Sequence, residues 1–141
     1  MAGLYIHIPF CKQACHYCDF HFSTSFNYKD ELIDALKKEI TLQKGFLGED
    51  IIETIYFGGG TPSLLNADAI QSIIDSIGKY YTIKNTVEIT LEANPDDLDA
   101  AYIQSLKTTS INRLSIAIQS FVDTDLRWMN RVHTAQEAES S

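Results

Sequence analysis

The sequence predicts an α/β fold of one domain, in which four parallel strands alternate with helices. Three observations lead there. Four short runs, apolar or alternating and each bounded by Gly, Pro, Asn or Asp, read as strands. The segments between them carry apolar residues at helical spacing. The chain's 141 residues, 45% hydrophobic, 21% charged and 11% aromatic, are enough for one core and too few for two. Strands separated by helices require right-handed crossovers, and so a parallel sheet covered by helices.

The first strand is Leu4–Ile8, followed by a helix from Tyr28 to Lys44 with Leu32, Ile33, Leu36 and Ile40 on one stripe and Gly45 and Gly48 beyond it. Thr54–Phe57 is the second strand. Asn66 suits the N-cap of the second helix, whose stripe is Ala69, Ile70, Ile73, Ile74 and Ile77, with Gly78 as its stop. Val87–Glu92 is the third strand, and Asp97 or Asp99 opens the third helix through Tyr102, Ile103 and Leu106. Arg113–Ile118 is the fourth strand. A short helix then starts at Asp123, and a fifth starts near Thr134.

The strands alternate more than a doubly buried parallel sheet should. Leu4, Ile6 and Ile8 oppose Tyr5 and His7; Val87, Ile89 and Leu91 oppose Glu88, Thr90 and Glu92; Leu114, Ile116 and Ile118 oppose Arg113, Ser115, Ala117 and Gln119. One side suits packed helices. The other is polar, as expected of a curved sheet whose concave side lines a wet or ligand-filled cavity. Glu88 and Arg113 are expected to pair low on that side, at a cost to stability if either is lost.

With 11 basic and 19 acidic residues the net charge is −8. No basic stripe is present, which argues against nucleic acid as the partner. No apolar run approaches the roughly 18 residues of a membrane span. Met1–Pro9 does not read as a signal peptide. Three cysteines without an export signal argue against a disulfide framework and for a cytoplasmic chain with a metal or redox site.

All three cysteines fall in Cys11-Lys12-Gln13-Ala14-Cys15-His16-Tyr17-Cys18, directly after the first strand. This puts three thiols at the carboxyl end of the sheet, where open α/β folds place ligands. Three thiolates leave one corner of a four-iron cube without a protein ligand, an opening that a catalytic site can use. Zinc is the alternative, with His16 or His21 completing a Cys3His site in a non-catalytic module. Phe57-Gly58-Gly59-Gly60-Thr61-Pro62 ends the second strand at the same edge, and its glycines permit close backbone approach to a ligand. No Gly-Lys-Ser/Thr follows, which counts against a phosphate loop. Glu92, in Leu91-Glu92-Ala93-Asn94-Pro95, ends the third strand's polar side, suited to accept from a ribose or an amino group. Gln119 ends the fourth. Arg131 and His133, after a short helix, would on their own be surface residues.

The C-x3-C-x2-C spacing with Tyr17 before the last cysteine resembles the radical S-adenosylmethionine (SAM) superfamily. LYIHIPFC, CHYCDF, FGGGTPS, EANP, RLSIAIQSF and NRVH, in that order, resemble the oxygen-independent coproporphyrinogen III oxidase (dehydrogenase) family, including its haem-chaperone branch. The resemblance implies a partial (β/α)6 TIM-like barrel, here cut after about four β/α units, so that residues 1–141 are the N-terminal part of a core followed elsewhere by a further domain. It implies a [4Fe-4S] cluster on Cys11, Cys15 and Cys18. It also implies SAM held near Tyr5 and Tyr17 by Gly59, Gly60, Thr61, Glu92, Gln119 and Arg131. In that superfamily an electron from the cluster cleaves SAM to a 5′-deoxyadenosyl radical. The oxidases carry a further Cys two residues past the third cluster cysteine. Phe20 stands there in this sequence, as in the haem-chaperone branch, whose members bind haem and deliver it to acceptor proteins. The expected partners are SAM, porphyrin or haem, an electron donor and haem acceptors. The last strand's open edge is expected to favour self-association.

Overall fold

The computed structural model describes residues Met1–Ser141. Its elements are β1 (Ala2–Ile8), α1 (Lys29–Leu42), β2 (Ile52–Gly59), α2 (Ala67–Gly78), β3 (Ile83–Ala93), α3 (Ala100–Leu106), β4 (Arg113–Ile116), α4 (Asp123–Trp128) and α5 (Ala135–Ser140). The strands pair in parallel in the order β1-β2-β3-β4, as the alternating pattern predicts. No helix is long and apolar enough to cross a membrane.

The helix starts follow from their caps. Asn66 Oδ1 accepts from the Ala69 amide at 2.8 Å, and Thr134 with Glu137 forms a capping box on α5. Of the two candidates before α3, Asp99 is the cap, accepting from the Tyr102 amide at 2.7 Å. Asp97 instead lies in a short 3-10 turn, Pro95–Asp97. A matching turn, Pro62–Leu64, follows β2.

One side of the sheet builds the core. Ile6, Ile8, Ile55, Phe57, Ile89 and Leu91 meet Ile33 and Ile40 of α1 and Ile70, Ile73 and Ile77 of α2. Each side chain so buried contributes about 1.5–3 kcal/mol of transfer free energy. On the opposite side the register lines up Tyr5 with Tyr56, Tyr56 with Thr90, and Thr90 with Arg113. That row is not uniformly wet: Tyr5 is exposed, whereas Thr90 is closed off at 1%.

Two expectations are corrected here. The fourth strand ends at Ile116, not Ile118. The Ala117 amide still reaches Ala93 O at 2.9 Å, but β3 ends at Ala93 and the chain turns away at Pro95. Residues 118–120 therefore bond locally, and Gln119 takes a left-handed φ of 66°. Glu88 and Arg113 do pair, Oε1 to Nη1 at 2.8 Å, but their side chains are 47% and 59% exposed. A solvated pair contributes about 0–1 kcal/mol, so the expected stability role is not one this pair can carry.

Candidate functional site

The cysteine loop leaves β1 through Pro9 and Phe10 and is closed at its base. The Cys11 amide donates to Ser23 O at 3.0 Å, and the Ser23 amide donates to Pro9 O at 2.6 Å. The glycine loop after β2 is laced to the same segment: the Gly60 amide reaches Ile8 O at 2.8 Å and the Thr61 amide reaches Phe10 O at 2.6 Å. A Cβ at Gly60 would lie 2.5 Å from Phe10 O, so close backbone approach dictates glycine there. Gly59, at φ 111°, packs its α-carbon against the His7 imidazole.

On its other side the cysteine loop rests on the turn after α4. The His16 amide donates to Met129 O at 3.1 Å, His16 Nδ1 bonds Trp128 O at 2.9 Å, and Asn130 Nδ2 donates to Ala14 O at 2.7 Å. Asn130 holds a left-handed φ of 58° to do this. The same turn delivers Arg131. Its Nη2 donates to Asn94 Oδ1 at 2.8 Å and to Ala117 O at 2.7 Å, while Nη1 reaches Tyr17 Oη at 3.4 Å and Cys15 Sγ at 3.6 Å. His133, read as a surface residue from sequence, is 2% exposed. Its Nε2 donates to Ile118 O at 2.9 Å, which leaves Nδ1 to accept from Arg131 Nη2 at 3.4 Å.

These segments enclose a cavity of about 360 Å³. Cys11, Cys15, Cys18, Tyr17, Gly59, Gly60, Thr61, Glu92, Gln119 and Arg131 all line it. Gln119 does so from the left-handed turn beyond β4 and not from a strand. Tyr5 does not itself line the cavity. It lies on β1 below the cavity, stacked on Tyr56 with ring centroids 6.1 Å apart and bonded through its hydroxyl to His7 Nδ1 at 3.4 Å. The sequence reading missed several residues. Asn94 and Phe22 line the cavity, and Tyr56 aims Glu92, its hydroxyl donating to Oε1 at 2.6 Å. Asn94 was legible only as a turn residue before proline.

Burial pushes the Cys11 thiol up, and Cys18 and Cys15 add to this, while the Thr61 hydroxyl and Arg131 pull the other way. Burial likewise raises the Tyr17 phenol, opposed by Arg131. The donor set fits an iron–sulfur cluster with an anionic co-ligand. The cavity is about ten times the ~30 Å³ share of one water. No three His, Cys, Asp or Glu side chains converge on a single-ion position. Arg131 Nε is buried in the lining with no partner, a donor that needs an acceptor supplied from outside the chain.

The profile of the radical SAM superfamily matches residues 5–140. The chain belongs to that superfamily. Membership implies SAM and a [4Fe-4S] cluster as the chemistry of the fold. Among radical SAM relatives, the chain is 37% identical over 143 residues to the heme chaperone HemW of Bacillus subtilis, covering 100% of this chain and 38% of that protein. It is 41% identical to HemW of Buchnera aphidicola, covering 96% of this chain and 37% of the relative. The chain thus spans somewhat over a third of the length of these relatives. In structure it is similar to Escherichia coli coproporphyrinogen III oxidase, HemN, a radical SAM enzyme. The TM-score is 0.87 at 27% identity, over 98% of this chain and 32% of that one. The α/β sheet described above is thus part of a radical SAM TIM-like barrel.

Proposed function

We propose that residues 1–141 form part of the radical SAM core of a haem chaperone, a cytoplasmic protein that binds haem and hands it to acceptor proteins. Cys11, Cys15 and Cys18 would hold the [4Fe-4S] cluster. Glu92, Arg131, Gln119, Tyr17 and the Gly59-Gly60-Thr61 backbone would hold SAM. The observation that carries this reading is that the three thiols and the glycine loop border one cavity at the carboxyl ends of the strands. When bound, the cluster and SAM supply one-electron radical chemistry.

The chain's own residues bind and orient. Arg131 offers its unpartnered Nε to a carboxylate while Asn94, Ala117 and His133 fix the guanidinium plane. Glu92, held by Tyr56, offers a carboxylate to an amino or hydroxyl group. Gly60 lets the backbone close on the ligand without a Cβ in the way. Further partners in this reading are an electron donor and a second copy of the chain across the open edge of β4.

A second reading, radical decarboxylation of coproporphyrinogen, is favoured by the likeness to HemN. Phe20, which lines the cavity where the oxidases have their additional cysteine, weighs against it. Anaerobic reconstitution with iron and sulfide, followed by haem titration and a coproporphyrinogen turnover assay, separates the two. The chaperone reading expects a brown protein that binds haem and leaves coproporphyrinogen intact. Decarboxylation without haem binding would overturn it in favour of the oxidase, and tight zinc with no iron uptake would overturn both.

A further inference from the structure

Lys12 stands between the first two cysteines and also lines the cavity. The charge of this cation, close in sequence to three thiols, is committed elsewhere. Lys12 Nζ pairs with Asp96 Oδ2 at 2.7 Å and with Asp97 Oδ1. Those carboxylates are only 10% and 6% exposed. The triad has one positive and two negative members, and Asp96 Oδ1 is buried without any partner. Lys12 is thus the counter-charge that keeps two buried carboxylates tolerable.

The triad joins two loops that share no helix or strand. Asp97 Oδ2 accepts from Ser63 Oγ at 2.5 Å, which ties in the turn after the glycine loop. Asn94, two residues before Asp96, bonds Thr61 through Nδ2 at 3.4 Å and Arg131 through Oδ1 at 2.8 Å. Lys12 therefore bridges the sulfur-bearing loop to the segment that aims Arg131 and Thr61.

We propose that Lys12, with Asp96 and Asp97, is a latch that positions the cysteine loop against the SAM-facing loops, so that the cluster is retained. Lys12 is a positioning residue; it touches neither reacting atoms nor, through a free charge, the thiolates. The proposal builds on the cluster reading above, and its test is chosen to separate the two.

The whole chain is prepared as wild type, as Lys12→Met, as Lys12→Arg, and as the triple change Lys12→Met, Asp96→Asn, Asp97→Asn. Each is measured in two states. In the metal-free state the alkylation rates of Cys11 and Cys15 by iodoacetamide are followed. After anaerobic reconstitution, iron loss to a chelator is followed. Lys12→Met is expected to raise both rates, with cluster loss faster by about 10–100-fold, the range for outer-shell partners of a metal site. Lys12→Arg is expected to stay within a few-fold of wild type. The triple change removes the unpaired charges, so it should restore the melting temperature but not cluster retention. Wild-type rates in Lys12→Met, or a triple variant that recovers retention together with melting temperature, would overturn the latch. Failure of the wild type to take up iron would instead overturn the cluster reading, and the alkylation rates would still decide whether the latch orders the loop.

Discussion

Glu92 and Arg131 face one cavity, and each is aimed by a neighbour whose importance sequence spacing does not reveal. Tyr56 is an alternating residue of β2, and nothing in the pattern says that it reaches across to β3. Its hydroxyl donates to Glu92 Oε1 at 2.6 Å, a charge-assisted bond. Tyr56→Phe is expected to weaken SAM binding to the reconstituted chain about 3–10-fold, from the ~1 kcal/mol net worth of a hydrogen bond. Isothermal titration would measure it, and an unchanged affinity would remove Tyr56 from the site. His133 was illegible for a different reason. A histidine just after a short helix is normally solvated; this one is buried, bonded to Ile118 O in the turn beyond β4 and to Arg131. The meeting of the three cysteines with the glycine loop at one edge was legible without such context, because each segment directly follows a strand.

At the level of elements, the carboxyl edge of the sheet is organised by backbone contacts. The glycine loop bonds Ile8 and Phe10 through Gly60 and Thr61. A Cβ at position 60 would meet Phe10 O at 2.5 Å and Ile8 O at 2.9 Å, both main-chain atoms that cannot swing aside. Gly60→Ala is therefore expected to cost about 1–3 kcal/mol, the usual range for overpacking, and to impair cluster loading with it. Denaturant unfolding together with iron content would show both effects. Helix starts were well marked in the sequence because capping is local chemistry, as at Asn66 and Thr134. The end of β4 was not. Strand length there is set by where β3 stops offering partners, a property of another segment.

Over the whole molecule, alkaline stability follows from the tyrosines. Tyr102 sits beneath the sheet with its hydroxyl donating to Leu65 O at 3.0 Å. Burial, with Asp97 nearby, raises its phenol above the ordinary range. A raised folded pKa means the unfolded chain loses this proton first. Stability is thus fully present below pH ~10 and declines as pH rises beyond it. Tyr5, Tyr17 and Tyr56 shift in the same direction. Unfolding free energies between pH 8 and roughly 11 should fall for wild type and fall less steeply for Tyr102→Phe; parallel curves would contradict the assignment. The sheet also leaves β1 and β4 as its outer strands. Unpaired edges favour association, so light scattering is expected to give a mass that rises with concentration. A monomer throughout the range would contradict this.

The most direct test of the central claim is Mössbauer spectroscopy of the reconstituted chain with and without SAM. Three protein thiolates on a cube predict one iron of four distinct from the rest, whose signal shifts when SAM is added and does not shift in Arg131→Ala. Four equivalent irons indifferent to SAM, or no iron–sulfur signal at all, would contradict it.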